Sequence, residues 1–196
     1  TRGVLDDLDA LLETRREAGC VRHCHGDLHL RNIVLIDGRP TLFDGIEFSQ
    51  AMAQIDTLYD LAFLLMDLDH LGLRSGANVV LNRYLDLTGD DDGLAALPLF
   101  CSVRAAVRAH VGAVGAANLS TAVEAGEQGE EARRYLDRAC AYLEPRPSRL
   151  IAIGGLSGSG KSRTAREVAP FVGLAPGARV VRSDVIRKRL AGVDTF

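Results

Sequence analysis

Two short apolar runs, residues 33–36 and 41–43, flank Asp37-Gly38. Asp-Gly in this setting is a strong β-hairpin signal, because a tight two-residue turn needs positive φ at both positions and these residue types tolerate it. The hairpin constrains more than its own strands. Antiparallel pairing brings together whatever lies at the open end. Here those residues are Asn32, just before the first run, and Asp44, just after the second. The fold must therefore hold an amide and a carboxylate close to each other at that point.

The rest of the chain is mainly helical in pattern. Val4, Leu8, Leu11 and Leu12 have helical spacing within 3–18, and Leu58, Leu61, Leu65 and Leu68 share a face of a helix predicted over 51–70. Further helices are expected near 75–87, 97–117 and 127–143, with Ser120 or Thr121 available to start the last of these. Residues 144–148 hold two prolines and read as a linker. Beyond them the order is a strand at 150–153, a glycine-rich turn, a helix over 161–172, a second strand at 179–181 and a helix from Ser183 to about 190. The expected class is α+β. A mostly helical unit with a hairpin (1–143) is followed by a short α/β segment (149–196).

Composition excludes some classes. A net charge of −3 gives no footprint for nucleic acid as a bulk partner. The apolar stretch "LYDLAFLLMDL" is broken by Asp60 and Asp67, so no membrane span is expected. No signal peptide is visible, and a cytoplasmic home is the default. The first residue is Thr, which reads as a chain cut from a longer one. Cys20, His23, Cys24 and His25 cluster but lack a second ligand pair at zinc-like spacing, so buried free thiols are the expected reading.

Gly155-Leu156-Ser157-Gly158-Ser159-Gly160-Lys161-Ser162 has the Walker A spacing, in a strand–loop–helix context. Glycines let backbone N–H groups close around phosphates, and the helix that follows adds its positive end. Lys161 is expected to reach the β- and γ-phosphates of ATP, and Ser162 to ligate Mg²⁺. The chain has only two lysines, Lys161 and Lys188. A lysine kept here among so many arginines suits a compact point charge. Asp184 follows the second predicted strand, where a carboxylate can take a proton from an acceptor hydroxyl, and Arg187 lies one helical turn on, placed for a substrate anion.

His25-Gly26-Asp27-Leu28-His29-Leu30-Arg31-Asn32 is the other dense polar stretch. With Asp44 brought to Asn32 by the hairpin and Asp27 five residues upstream, it offers a base and two hard-oxygen ligands for Mg²⁺. Arg104 and Arg108 fall one turn apart on a helix, and a solvated face is the expectation there.

These motifs resemble two families. His25-Gly26-Asp27-Leu28, Asn32 and Phe43-Asp44-Gly45 follow the protein-kinase pattern H-R-D-L-x-x-x-N and D-F-G. Gly26 in place of Arg, and His29, are similar to the aminoglycoside phosphotransferase and choline kinase branch. That resemblance implies Asp27 as catalytic base, Asn32 and Asp44 as Mg²⁺ ligands, and His25 and Asp60 as structural support for the loop. Residues 149–192 resemble the start of P-loop small-molecule kinases, akin to gluconate kinases and the kinase domain of polynucleotide kinases. There an Asp and Arg, here Asp184 and Arg187, serve the acceptor. The whole resembles bacterial bifunctional aminoglycoside phosphotransferase/ATP-binding proteins, also described as AAA-family ATPases. The implied function is ATP- and Mg²⁺-dependent phosphorylation of a small-molecule hydroxyl. The parent chain would supply the N-terminal lobe and the remainder of the P-loop domain, and this stretch alone would be a poor enzyme. The alternative is a nucleotide-binding regulatory module with an inert kinase-like lobe.

Overall fold

The computed structural model describes residues 2–193. Helix α1 (Arg2–Glu17) lays Leu11 and Leu12 on the core and buries Arg15. The Arg15 guanidinium meets two carboxylates at once. Its Nε and Nη2 donate to Asp56 at 2.7 and 2.9 Å, and its Nη1 and Nη2 donate to Asp90 at 2.5 and 2.9 Å. A planar fork suits such paired acceptance, and it ties α1 to two distant parts of the chain.

Strand β1 (Val21–His23) leads to the polar loop and a 3-10 turn (Leu30–Asn32). Strands β2 (Ile33–Ile36) and β3 (Arg39–Leu42) form the expected hairpin, in register Ile33↔Leu42 to Ile36↔Arg39. Both turn residues take positive φ, 51° at Asp37 and 74° at Gly38.

The predicted helix over 51–70 is broken. Helix α2 (Gln50–Ala53) stops after one turn, and β4 (Gln54–Asp56) pairs antiparallel with β1 before α3 (Thr57–His70) begins. The free edge of β1 offers three residues a ladder, and Asp56 then caps α3 by accepting from Leu58 N at 2.8 Å. Helix α3 is buried on almost every side. Leu58, Leu65 and Met66 meet Leu81 and Leu85 of α4 (Arg74–Thr88) and Cys101 of α5 (Leu97–Ala117) in one core. Each such side chain contributes roughly 1.5–3 kcal/mol by leaving water. Helix α6 (Ala122–Tyr142) packs antiparallel along α5 and extends the helix expected near 127–143 back to the Thr121 start signal. Thr121 caps it, in a reciprocal pairing with Glu124. Among the described residues α5 alone has the length and composition to cross a membrane, and its buried face packs against α3 and α6.

The segment from 149 corrects the expectation most. Residues 150–153 and 179–181 form no strands, and among the described residues no sheet exists beyond the two hairpin-sized pairs. A strand needs a partner for its backbone, and among the described residues the paired stretches are β1 with β4 and β2 with β3, so neither run has one. Helix α7 (Lys161–Val168) also ends early, passing into a 3-10 turn at Ala169–Phe171, before α8 (Ser183–Leu190). The segment docks instead on α4. Asn82 Oδ1 accepts from Val180 N at 2.7 Å, and the amides of Asn78 and Asn82 donate to Ala178 O at 3.0 and 3.2 Å. Arg179 bridges Asp86 and Asp91.

Candidate functional site

Loop 25–32 is held from beneath by α3. Asp60, buried, accepts from His25 N and Gly26 N, both at 3.0 Å. Gly26 has φ 82°, and a Cβ there would lie 2.8 Å from Ile46 Cδ1, so only glycine fits. His25 Nε2 reaches Phe43 O at 2.9 Å, and Ile46 N donates to His25 O at 2.8 Å, which clips the loop to the chain leaving the hairpin. Phe43 N donates to Asn32 O at 3.1 Å, so the hairpin's open end closes where the sequence predicts.

Above this scaffold sits Asp27. Asn32 Nδ2 donates to Asp27 Oδ2 at 3.1 Å, and His29 Nε2 lies 3.3 Å from the same oxygen. Both contacts fall on Oδ2, which leaves Oδ1 as the oxygen available to take a proton. His29 is buried and meets Phe63 edge-on. Its contact with Asp27 is not among the roles expected from the sequence; the signal for it is the spacing, two residues after the Asp. With the Asn32 amide nitrogen turned to Asp27, the Asn32 oxygen is what remains to offer a cation. Asp44 is exposed, holds a φ of 58°, and has no hydrogen bond or ion pair among the described residues. Positive φ in a non-glycine residue is a local strain often found at functional positions. Among the described residues no group of three or more His, Cys, Asp or Glu side chains is set to hold a metal. The oxygens of the Asp44 carboxylate and the Asn32 amide are nevertheless of the hard type that fits Mg²⁺.

Arg104 departs from the expected solvated face. It is buried, with Nη2 3.6 Å from Asp60 Oδ1, Nε donating to Tyr59 O, and its guanidinium 4.0 Å from the centroid of the Tyr59 ring. Burial pushes Arg104 below the ordinary arginine range, and burial pushes Asp60 above the ordinary carboxylate range against the pull of Arg104 and the two N–H groups. Arg108 lies over the Tyr135 ring.

The second site is a cavity of about 690 Å³. It gathers Ser157, Gly158, Lys161, Ser162, Asp184 and Arg187, and adds Arg149 and Arg182, which the motif did not single out. Gly155 has φ 154°, and a Cβ there would meet Ser159 Oγ at 2.7 Å. Lys161 Nζ folds back across the loop to Gly155 O and Leu156 O at 2.8 and 2.6 Å. Gly160, in the left-handed region, precedes α7, and the Leu156 side chain faces solvent. Asp184 is engaged on both oxygens by Arg182, whose hydrogen bonds hold it below the ordinary carboxylate range. That makes it a weaker base than the sequence suggests. Arg187 Nε donates to Ser183 O of its own helix.

Over 182 residues the chain is 35% identical to uncharacterized proteins of Mycobacterium tuberculosis and Mycobacterium bovis. The match covers 93% of this chain and 35% of each relative, so the chain spans about a third of their length. No family model matches, and no solved structure matches.

Proposed function

We propose that this chain carries the catalytic loop of an ATP- and Mg²⁺-dependent phosphotransferase acting on a small-molecule hydroxyl in the cytoplasm. The observation that supports it most is Asp27: one carboxylate oxygen is pinned by Asn32 and His29, and the other is open. Asp27 would accept the acceptor's proton through Oδ1. Asn32 and Asp44 would hold the cation, while His25 and Asp60 keep the loop in place. Bound MgATP would supply the phosphoryl group and the charge neutralisation that such transfer depends on. The glycine loop, with Lys161 and Ser162, is proposed as a second phosphate-binding site, with Arg149 and Arg187 lining the same cavity for an anionic group.

The test is Asp27→Ala in the full-length protein. Transfer from ATP to a panel of small alcohols is expected to fall about 10²–10⁴-fold, the usual worth of a general base, with Mn²⁺ binding near the loop retained. Unchanged turnover would remove Asp27 from the chemistry.

A further inference from the structure

Helix α3 carries a second buried carboxylate facing the loop. Asp67 Oδ2 accepts from Leu30 N at 3.0 Å, and its Oδ1 accepts from Tyr135 OH of α6 at 3.2 Å. Asp67 and Tyr135 are both about 5% exposed. The spacing from Asp60 is seven residues, just under two helical turns, so the two carboxylates fall on one face about 10 Å apart along the axis. Asp60 takes the N–H groups of residues 25 and 26, and Asp67 takes that of residue 30. The loop residues between these anchors are Asp27, Leu28 and His29. Tyr135 is itself fixed, its ring stacked on His70 at 3.7 Å, and His70 Nε2 is bound to Glu131 at 2.6 Å.

From this geometry we propose that Asp67 is a positioning residue for Asp27: it fixes the far end of the loop as Asp60 fixes the near end, and Tyr135 makes that anchor answer to α6. A loop tied at one end can swing. Tied at both, it holds the Asp27 carboxylate against Asn32 and His29. The link to catalysis rests on the phosphotransfer reading, whereas the anchoring itself does not.

The experiment uses the full-length protein and two readouts. Amide hydrogen exchange reports anchoring directly, and hydrolysis of MgATP, with water as acceptor, reports catalysis. In Asp67→Ala the Leu30 amide is expected to exchange at least about ten-fold faster, as befits a lost buried hydrogen bond, while α5 amides keep wild-type rates. The kcat for ATP is expected to fall on the order of ten- to a hundred-fold, with KM within about two-fold. Asp67→Asn keeps an oxygen for Leu30 N–H and an N–H for the Tyr135 oxygen, and should restore both readouts. Should Asp67→Ala not fold, Tyr135→Phe keeps the stacked ring and removes only the hydroxyl, and should show the same two changes in smaller degree. Unchanged exchange at Leu30, or exchange that rises only in step with every helix, overturns the anchor. So does failure of Asp67→Asn to rescue. Faster Leu30 exchange in a protein whose wild type transfers phosphate from ATP neither to water nor to the alcohol panel leaves the anchor standing and sinks the phosphotransfer reading instead.

Discussion

Arg104 Nη2 stands 3.6 Å from Asp60 Oδ1, near enough for an ion pair and too far for a hydrogen bond, with both side chains shut off from solvent. Removing one partner strands the other charge. Asp60→Ala or Arg104→Met alone should cost about 3–5 kcal/mol in urea denaturation. The double variant should cost clearly less than the sum. An additive result would mean that the pair is not coupled.

Two acids of the helical unit, buried Asp60 and half-buried Asp90, should behave oppositely in acid. Asp60 is raised by burial, so the folded state takes its proton before the unfolded state does, and acid does not unfold the protein through it. At Asp90 burial also pushes upward, but hydrogen bonds from Arg15 and Tyr84 win and hold it below its ordinary 3.8. Its contribution is present above that value and is lost as pH falls through the lowered one. Asp90→Asn should therefore lower stability at pH 7 and flatten the acid limb of the stability–pH curve. A parallel shift of the whole curve would exclude this role.

At the glycine loop, Lys161→Ala should abolish binding of a fluorescent ATP analogue to the cavity near α7, while leaving the melting transition of the α3–α6 core within about 0.5 kcal/mol, as expected for an exposed side chain. Gly155→Ala should also weaken binding, through its clash with Ser159 rather than through charge. Retained binding in Lys161→Ala would place the phosphates elsewhere.

Asn82→Leu removes two of the contacts that hold residues 178–180 to α4 and leaves those of Asn78 and Arg179. Each lost hydrogen bond is worth about 0.5–1.5 kcal/mol. Limited proteolysis should then cut within 145–182 faster, with the helical unit intact on the gel. Equal cleavage rates would show that the Arg179 bridges to Asp86 and Asp91 suffice.

Much of the fold was legible because its signals are local. Asp37-Gly38 marks the hairpin, Thr121 and Glu124 mark the start of α6, and the spacing from Asp27 to Asn32 marks the loop. What escaped depends on partners far along the chain. Ile55 keeps helical spacing with Leu58, and only the edge of β1 turns 54–56 into a strand. Arg104 has a plausible surface pattern, and only the loop's own support at Asp60 draws it inward. Asp67 looks like an interruption of an apolar helix until Leu30 arrives above it. The apolar runs at 150–153 and 179–181 carry strand character without a neighbour to express it.

The docking of Val180 onto Asn82 changes what residues 144–148 are for. Residues 178–180 line the cavity and are registered on α4 by Asn78 and Asn82, well beyond the prolines, so the proline stretch has no part in placing that side of it. Insertions there should leave residues 178–180 in place on α4, whereas loss of the Asn82 amide should loosen them.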